Sequence, residues 1–229
     1  METGYLTPFL DMLKQGLLDR DIRLMAAQGE LGLRPDERRG VLDFLASDAD
    51  PDVAKAASAA IAAGVAPDTS GESPVAPDDE EPSSSGTSEE KAAKEQGTIE
   101  RLAAMNPAQR LARAMKGTRE ERAILIRDPN KIVAVAVLSS PKLSEAEVEA
   151  IAKMANVSDE ILRIIGKTRA WVKSYRVVSA LTRNPKTPQA LAMNLLSRLQ
   201  EKDVKLLVSD RNVPDALRMA ARRKLGPKG

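Results

Sequence analysis

Residues 127–167 read RDPNKIVAVAVLSSPKLSEAEVEAIAKMANVSDEILRIIGK, and residues 183–223 read RNPKTPQALAMNLLSRLQEKDVKLLVSDRNVPDALRMAARR. Laid over one another without a gap, ten of 41 positions are identical: Arg127/Arg183, Pro129/Pro185, Ala134/Ala190, Ala136/Ala192, Leu143/Leu199, Glu145/Glu201, Val148/Val204, Asn156/Asn212, Val157/Val213 and Asp159/Asp215. Val135/Leu191, Ile151/Leu207 and Ile161/Leu217 add apolar pairs. The matches fall on helix starts and on one apolar stripe. In the first copy they predict helices over about 129–139, 145–155 and 159–166, with one or two more in the bridging stretch 168–182. Three short helices cannot bury their apolar faces alone. A stacked neighbour supplies the missing surface, which is the logic of a helical solenoid.

Local signals agree with short helices. Pro107, Pro129, Pro188 and Pro214 each read as the first helical residue, where the missing N–H costs nothing. Thr118 with Glu121, and Ser144 with Glu147, fit the capping box. Gly117 and Gly166 read as stops. Upstream, Phe9, Leu10 and Leu13 follow Leu6 at helical spacing. No segment alternates with period 2, and no hairpin signal is present. The fold class is all-α.

Residues 41–61, VLDFLASDADPDVAKAASAAI, give an apolar helix, a turn carrying Asp and Pro, and an alanine-rich helix expected over 52–63. The pattern resembles a HEAT repeat, and Val204 to Leu225 is similar to a looser version of it. The resemblance covers about half of the chain. It implies two HEAT-like α-helical repeat modules of the α–α superhelix type, used mainly as binding scaffolds, and it is nearly silent on the partner.

The near-neutral charge of +2, from 35 basic and 33 acidic residues, is an average. Residues 1–60 carry −4, residues 61–100 carry −8 and residues 101–229 carry +14. This division predicts a small acidic helical domain over 1–66, an acidic linker over 67–97 and a basic repeat domain over 98–229. The linker sequence, PDTSGESPVAPDDEEPSSSGTSEEKAAKEQG, is too poor in large apolar residues to offset chain entropy and is expected to be disordered, with Lys91 to Gln96 extending the next helix backwards. Lying beside the basic domain, its acids are expected to screen it.

What is missing narrows the chemistry. There is no cysteine and no histidine, hence no disulfide, no Cys/His zinc site, no imidazole base and no Ser-His-Asp triad. No glycine-rich phosphate loop occurs. Asp48, Asp50 and Asp52 have the spacing that opens an EF-hand, but Val53 and Ala59 stand where that loop needs Gly and Glu. The aspartates read as caps of an inter-helix turn, and Glu145, Glu147 and Glu149 read as complements to a helix dipole. No catalytic residue, cofactor, metal or small-molecule ligand is expected. The longest apolar run, Ile132 to Leu138, is too short to cross a membrane, and the opening residues lack the basic-then-apolar form of a signal, so the expected location is the cytoplasm.

The candidate binding residues are basic. The stretch 163–176, RIIGKTRAWVKSYR, holds the single tryptophan, with Trp171 and Tyr175 one turn apart if 168–175 is one helix. The favoured reading packs both aromatics between the repeats. That leaves Arg163, Lys167, Arg169, Lys173 and Arg176 for a partner. Arg218, Arg222 and Arg223, with Lys224 and Lys228, form a second group, where cations also oppose a helix dipole. Arg110, Arg113, Lys116, Arg119 and Arg122 read as a solvated helix face. The expected function is a non-catalytic scaffold or adaptor for protein–protein interaction. The alternative is a nucleic-acid- or ribosome-associated protein that binds polyanions through the +14 region. A third class, an enzyme on a helical-repeat scaffold resembling some DNA glycosylases, requires Trp171 in an open groove.

Overall fold

A computed structural model describes residues 8–63 and 88–226. Among these residues there are fourteen α-helices, one 3-10 turn and no strand. The N-terminal helices are α1 (Pro8–Lys14), α2 (Arg20–Ala27), α3 (Pro35–Leu45) and α4 (Pro51–Ala62). Then come α5 (Ser88–Ala103), α6 (Pro107–Lys116), α7 (Arg119–Leu125), α8 (Lys131–Ser139), α9 (Glu145–Lys153) and α10 (Asp159–Lys167). After the 3-10 turn Trp171–Lys173 follow α11 (Tyr175–Arg183), α12 (Gln189–Leu196), α13 (Glu201–Ser209) and α14 (Asp215–Leu225). The helices α7, α9 and α10 begin at Arg119, Glu145 and Asp159, and α11, α13 and α14 each begin 56 residues later.

The apolar run in α8 decides how the ends of the chain meet. Residues Val133 to Ser139 are all buried, so the helix has no solvated face. A helix apolar all round needs cover on every side. It is covered by α6 and α7 and, from the N-terminal segment, by α1. Arg34 adds a hydrogen bond of 2.8 Å to the Ser140 carbonyl, just past the end of α8. Phe9, Leu31, Leu111, Leu138, Ile161 and Leu217 thus belong to one continuous core. The acidic and basic segments are in direct contact, which the charge arithmetic did not foretell.

Several local readings change. Pro107 is the first residue of α6, as expected, but Pro188 and Pro214 occupy the N-cap of α12 and α14, and Pro129 lies before the N-cap Asn130. At an N-cap proline still supplies the carbonyl that opens the ladder: Pro188 accepts from Ala192 and Pro214 from Leu217, each at 3.0 Å. Both expected capping boxes form, and Asn106 with Gln109 makes a third. Gly117 ends α6, whereas Gly166 lies inside α10. A Cβ at Gly166 would come within 2.3 Å of Leu191, so this glycine permits α10 and α12 to approach. Helix α5 begins at Ser88, earlier than the expected extension from Lys91, and takes in the last residues of the predicted linker. The rest of that linker, 67–87, lies outside the described residues.

Candidate functional site

The helices α9, α11 and α13 border an open groove of about 730 Å³. Its floor is assembled at the turn after α11. There the Asn184 side-chain amide donates to the carbonyls of Ala152 and Met154, both at 2.8 Å, and its oxygen accepts from the Lys186 N–H at 3.0 Å. One asparagine therefore closes the carboxyl end of α9 and shapes the next turn. Asp128, its counterpart 56 residues earlier, makes the same turn bond to Asn130 at 2.7 Å.

The far wall is fixed by Asp203, buried at the third position of α13. Arg183 donates to it at 2.5 Å, and the Tyr175 hydroxyl donates to its second oxygen. The Tyr175 oxygen in turn accepts from the Gln200 N–H at 3.1 Å. Burial, and then the bond to Asp203, push the Tyr175 phenol above its usual range, so it remains a neutral donor. On the opposite wall Glu149 accepts from Lys153 at 2.6 Å. The groove's two acids are thus each matched by a lysine or arginine. Arg176 and Lys202 also line it, both are exposed, and neither makes an ion pair or hydrogen bond with a described residue.

Of the eight basic residues singled out from sequence, only Arg176 lines this groove. Arg163 pairs with Asp159 and Glu160 at 3.3 and 3.2 Å, and Arg218 pairs with Asp215, all within their own helices. Lys167, Arg169, Lys173, Arg222 and Arg223 are exposed. Lys224 donates to the carbonyls of Leu196, Ser197 and Leu199 at 2.7, 2.9 and 3.0 Å, so it closes the end of α12 rather than that of its own helix. Lys228 lies outside the described residues.

Trp171 is 6% exposed and in the core, so it is not placed in an open groove. It and Tyr175 do not share a helix: the chain makes its 3-10 turn at Trp171 and restarts with Ser174 as the N-cap of α11. The third basic group is also not a simple solvated face. Arg122 is 5% exposed and donates twice to Glu147, at 3.0 and 2.7 Å, and once to the Gly117 carbonyl at 2.8 Å. Arg110 pairs with Asp128 at 3.0 Å.

The aspartates at 48–52 form the capped turn expected of them. Asp48 accepts from Asp50 N–H at 2.9 Å, and Asp50 caps α4 through Asp52 and Val53. Arg23 holds Asp48 at 2.7 Å, and Arg20 holds both Asp50 and Asp52 at 2.6 Å. The Arg20 hydrogen bond keeps the Asp50 carboxyl below its usual range. Among the described residues no group of three or more Asp and Glu side chains is arranged to hold a metal ion, and no helix is long and apolar enough to cross a membrane.

Lys202 and Asn212, both on the groove, were missed. Asn212 was visible as a matched pair with Asn156, but nothing in the spacing told which face it would occupy. Comparison with protein-family models, with curated proteins and with solved structures finds no match to this chain.

Proposed function

We propose that this protein is a non-catalytic, cytoplasmic helical-repeat scaffold of HEAT-like type, and that the groove between α9, α11 and α13 is its docking surface for a protein partner. The observation that carries this reading is the state of the groove's charges. Its acids Glu149 and Asp203 are matched internally, whereas Arg176 and Lys202 are exposed and have no partner among the described residues. A wall whose acids are already paired, beside two cations without a partner among the described residues, suits recognition, because fewer side chains have to reorganise on binding. The 56-residue recurrence of helix starts supports the repeat reading. The internal pairing of both acids leaves no spare carboxylate in the groove for general acid–base work.

The test is capture of partners from a native lysate by the full chain and by Ser179→Trp, which fills the groove from α11. Proteins retained by the wild type and lost by the variant support the reading. Identical capture by both, with unchanged helical circular dichroism, overturns it. The polyanion reading rests on the net +14 over residues 101–229 and on the exposed Lys167, Arg169 and Lys173. It requires binding to generic RNA or DNA that falls steeply with salt.

A further inference from the structure

We infer that the occupant of the groove is a short acidic peptide segment of a protein partner, its carboxylates held by Arg176 on α11 and Lys202 on α13. The inference rests on the docking reading above and adds the chemistry of the ligand. Four cationic side chains line the groove, Lys153, Arg176, Arg183 and Lys202. Lys153 is engaged by Glu149 and Arg183 by Asp203. The surplus is therefore localised on Arg176 and Lys202, which project from two different helices. A guanidinium presents a planar fork that fits one carboxylate with two parallel bonds, and an ammonium adds a compact second charge. Together they match two acidic side chains on one extended segment.

The same walls disfavour a nucleic acid. Glu149 and Asp203 already engage Lys153 and Arg183, so a continuous phosphate run would find a free cation at only two points along the groove. A peptide can place neutral residues there. Ser179, Asn212 and Pro185 give small polar and apolar patches between the charges, suited to such neutral residues. The volume, about 730 Å³, suits a few side chains rather than a duplex.

The experiment uses the full chain and a fluorescein-labelled peptide of about eight residues in which Glu or Asp alternates with Ser or Ala, followed by fluorescence anisotropy at low salt. Saturable binding is expected, with Arg176→Ala/Lys202→Ala weakening it by about tenfold or more. Arg222→Ala/Arg223→Ala, outside the groove, should change it by less than about twofold. All four positions are exposed, and circular dichroism checks that the variants fold. Absence of acidic-peptide binding overturns the inference, as does an equal loss in both double variants, which would report a diffuse field. Tighter binding of an oligothymidylate of the same length through Arg176 and Lys202 also overturns it. The two readings separate in the lysate experiment. If Ser179→Trp loses the partner while Arg176→Ala/Lys202→Ala keeps it, the docking surface stands and the acidic occupant falls. If Ser179→Trp loses nothing, the docking reading itself falls.

Discussion

Glu147 and Asp203 occupy the same register, 56 residues apart, each at the third position of its helix, and each is held by an arginine from an earlier helix. Their surroundings differ. The Glu147 pair is sealed, with side-chain exposures of 6% for Arg122 and 9% for Glu147. The Asp203 pair opens to the groove, with Arg183 at 39%. The cause is a change of donor. In the first unit the arginine is inside α7, and in the second, where Val178 holds that register, the arginine is the last residue of α11 and a tyrosine adds the second bond. The same carboxylate position thus locks a core in one place and shapes a binding surface in the other.

All four buried acids among the described residues, Glu37, Glu121, Glu147 and Asp203, stand at the third position of a helix. There the helix dipole offsets part of the desolvation cost, and Glu121 and Glu147 also accept from the N–H of their N-cap residues Thr118 and Ser144, each at 3.0 Å. Glu121 is bonded by Arg101 at 3.0 Å. Glu37 is the outlier. It accepts from the Phe9 N–H at 3.1 Å, holding the start of α1, but its second oxygen is buried and has no hydrogen bond from a described residue.

Breaking the sealed pair should have the largest effect. Arg122→Ala leaves a buried carboxylate without its cation and should cost about 3–5 kcal/mol in chemical denaturation. A loss no greater than that of an exposed arginine would show that the seal is not energetic. Glu37 comes next. Burial, reinforced by Asp11 and only partly offset by Arg34 and by the Phe9 and Leu10 N–H groups, pushes its carboxyl up to about 7. A raised carboxyl stabilises the fold fully below its ordinary value near 4.5, and that contribution is lost as pH rises through about 7. Between pH 5 and pH 8 the wild type should lose up to about 3 kcal/mol relative to Glu37→Gln, which keeps an oxygen for Phe9 N–H. Parallel stability–pH curves for the two proteins would refute it.

The open pair should be the most tolerant. Tyr175→Phe removes one of the two donors to Asp203 and an acceptor for Gln200, and a loss of about 1 kcal/mol is expected. Asp203 keeps its charged partner Arg183, which is itself 39% exposed, so the effect should stay well below that of Arg122→Ala. Equal losses would erase the distinction between core lock and groove wall.

The helices were legible because they are written locally. The capping pairs Thr118/Glu121 and Ser144/Glu147, and the matched starts at Glu145/Glu201 and Asp159/Asp215, need only neighbours a few residues away. The bridging helix α11 was foreseen without its register, because the 3-10 turn at Trp171 shifts it away from a continuous pattern. The site was much less legible. Arg176 was on the list of basic residues, but so were Arg163 and Arg218, which their own helices neutralise. A charge in a sequence does not show whether it is already paired.

The all-α class, several helix starts and the segregation of charge can be read from the chain alone, since periodicity, caps and composition act over one or two turns. Tertiary structure decided the rest: that α1 covers α8, that Gly166 is a contact and not a stop, that Arg122 is sealed and Arg176 open. Those outcomes depend on which surfaces meet across tens of residues. Burial, which sets the energy of every charge in this protein, is a property of that meeting.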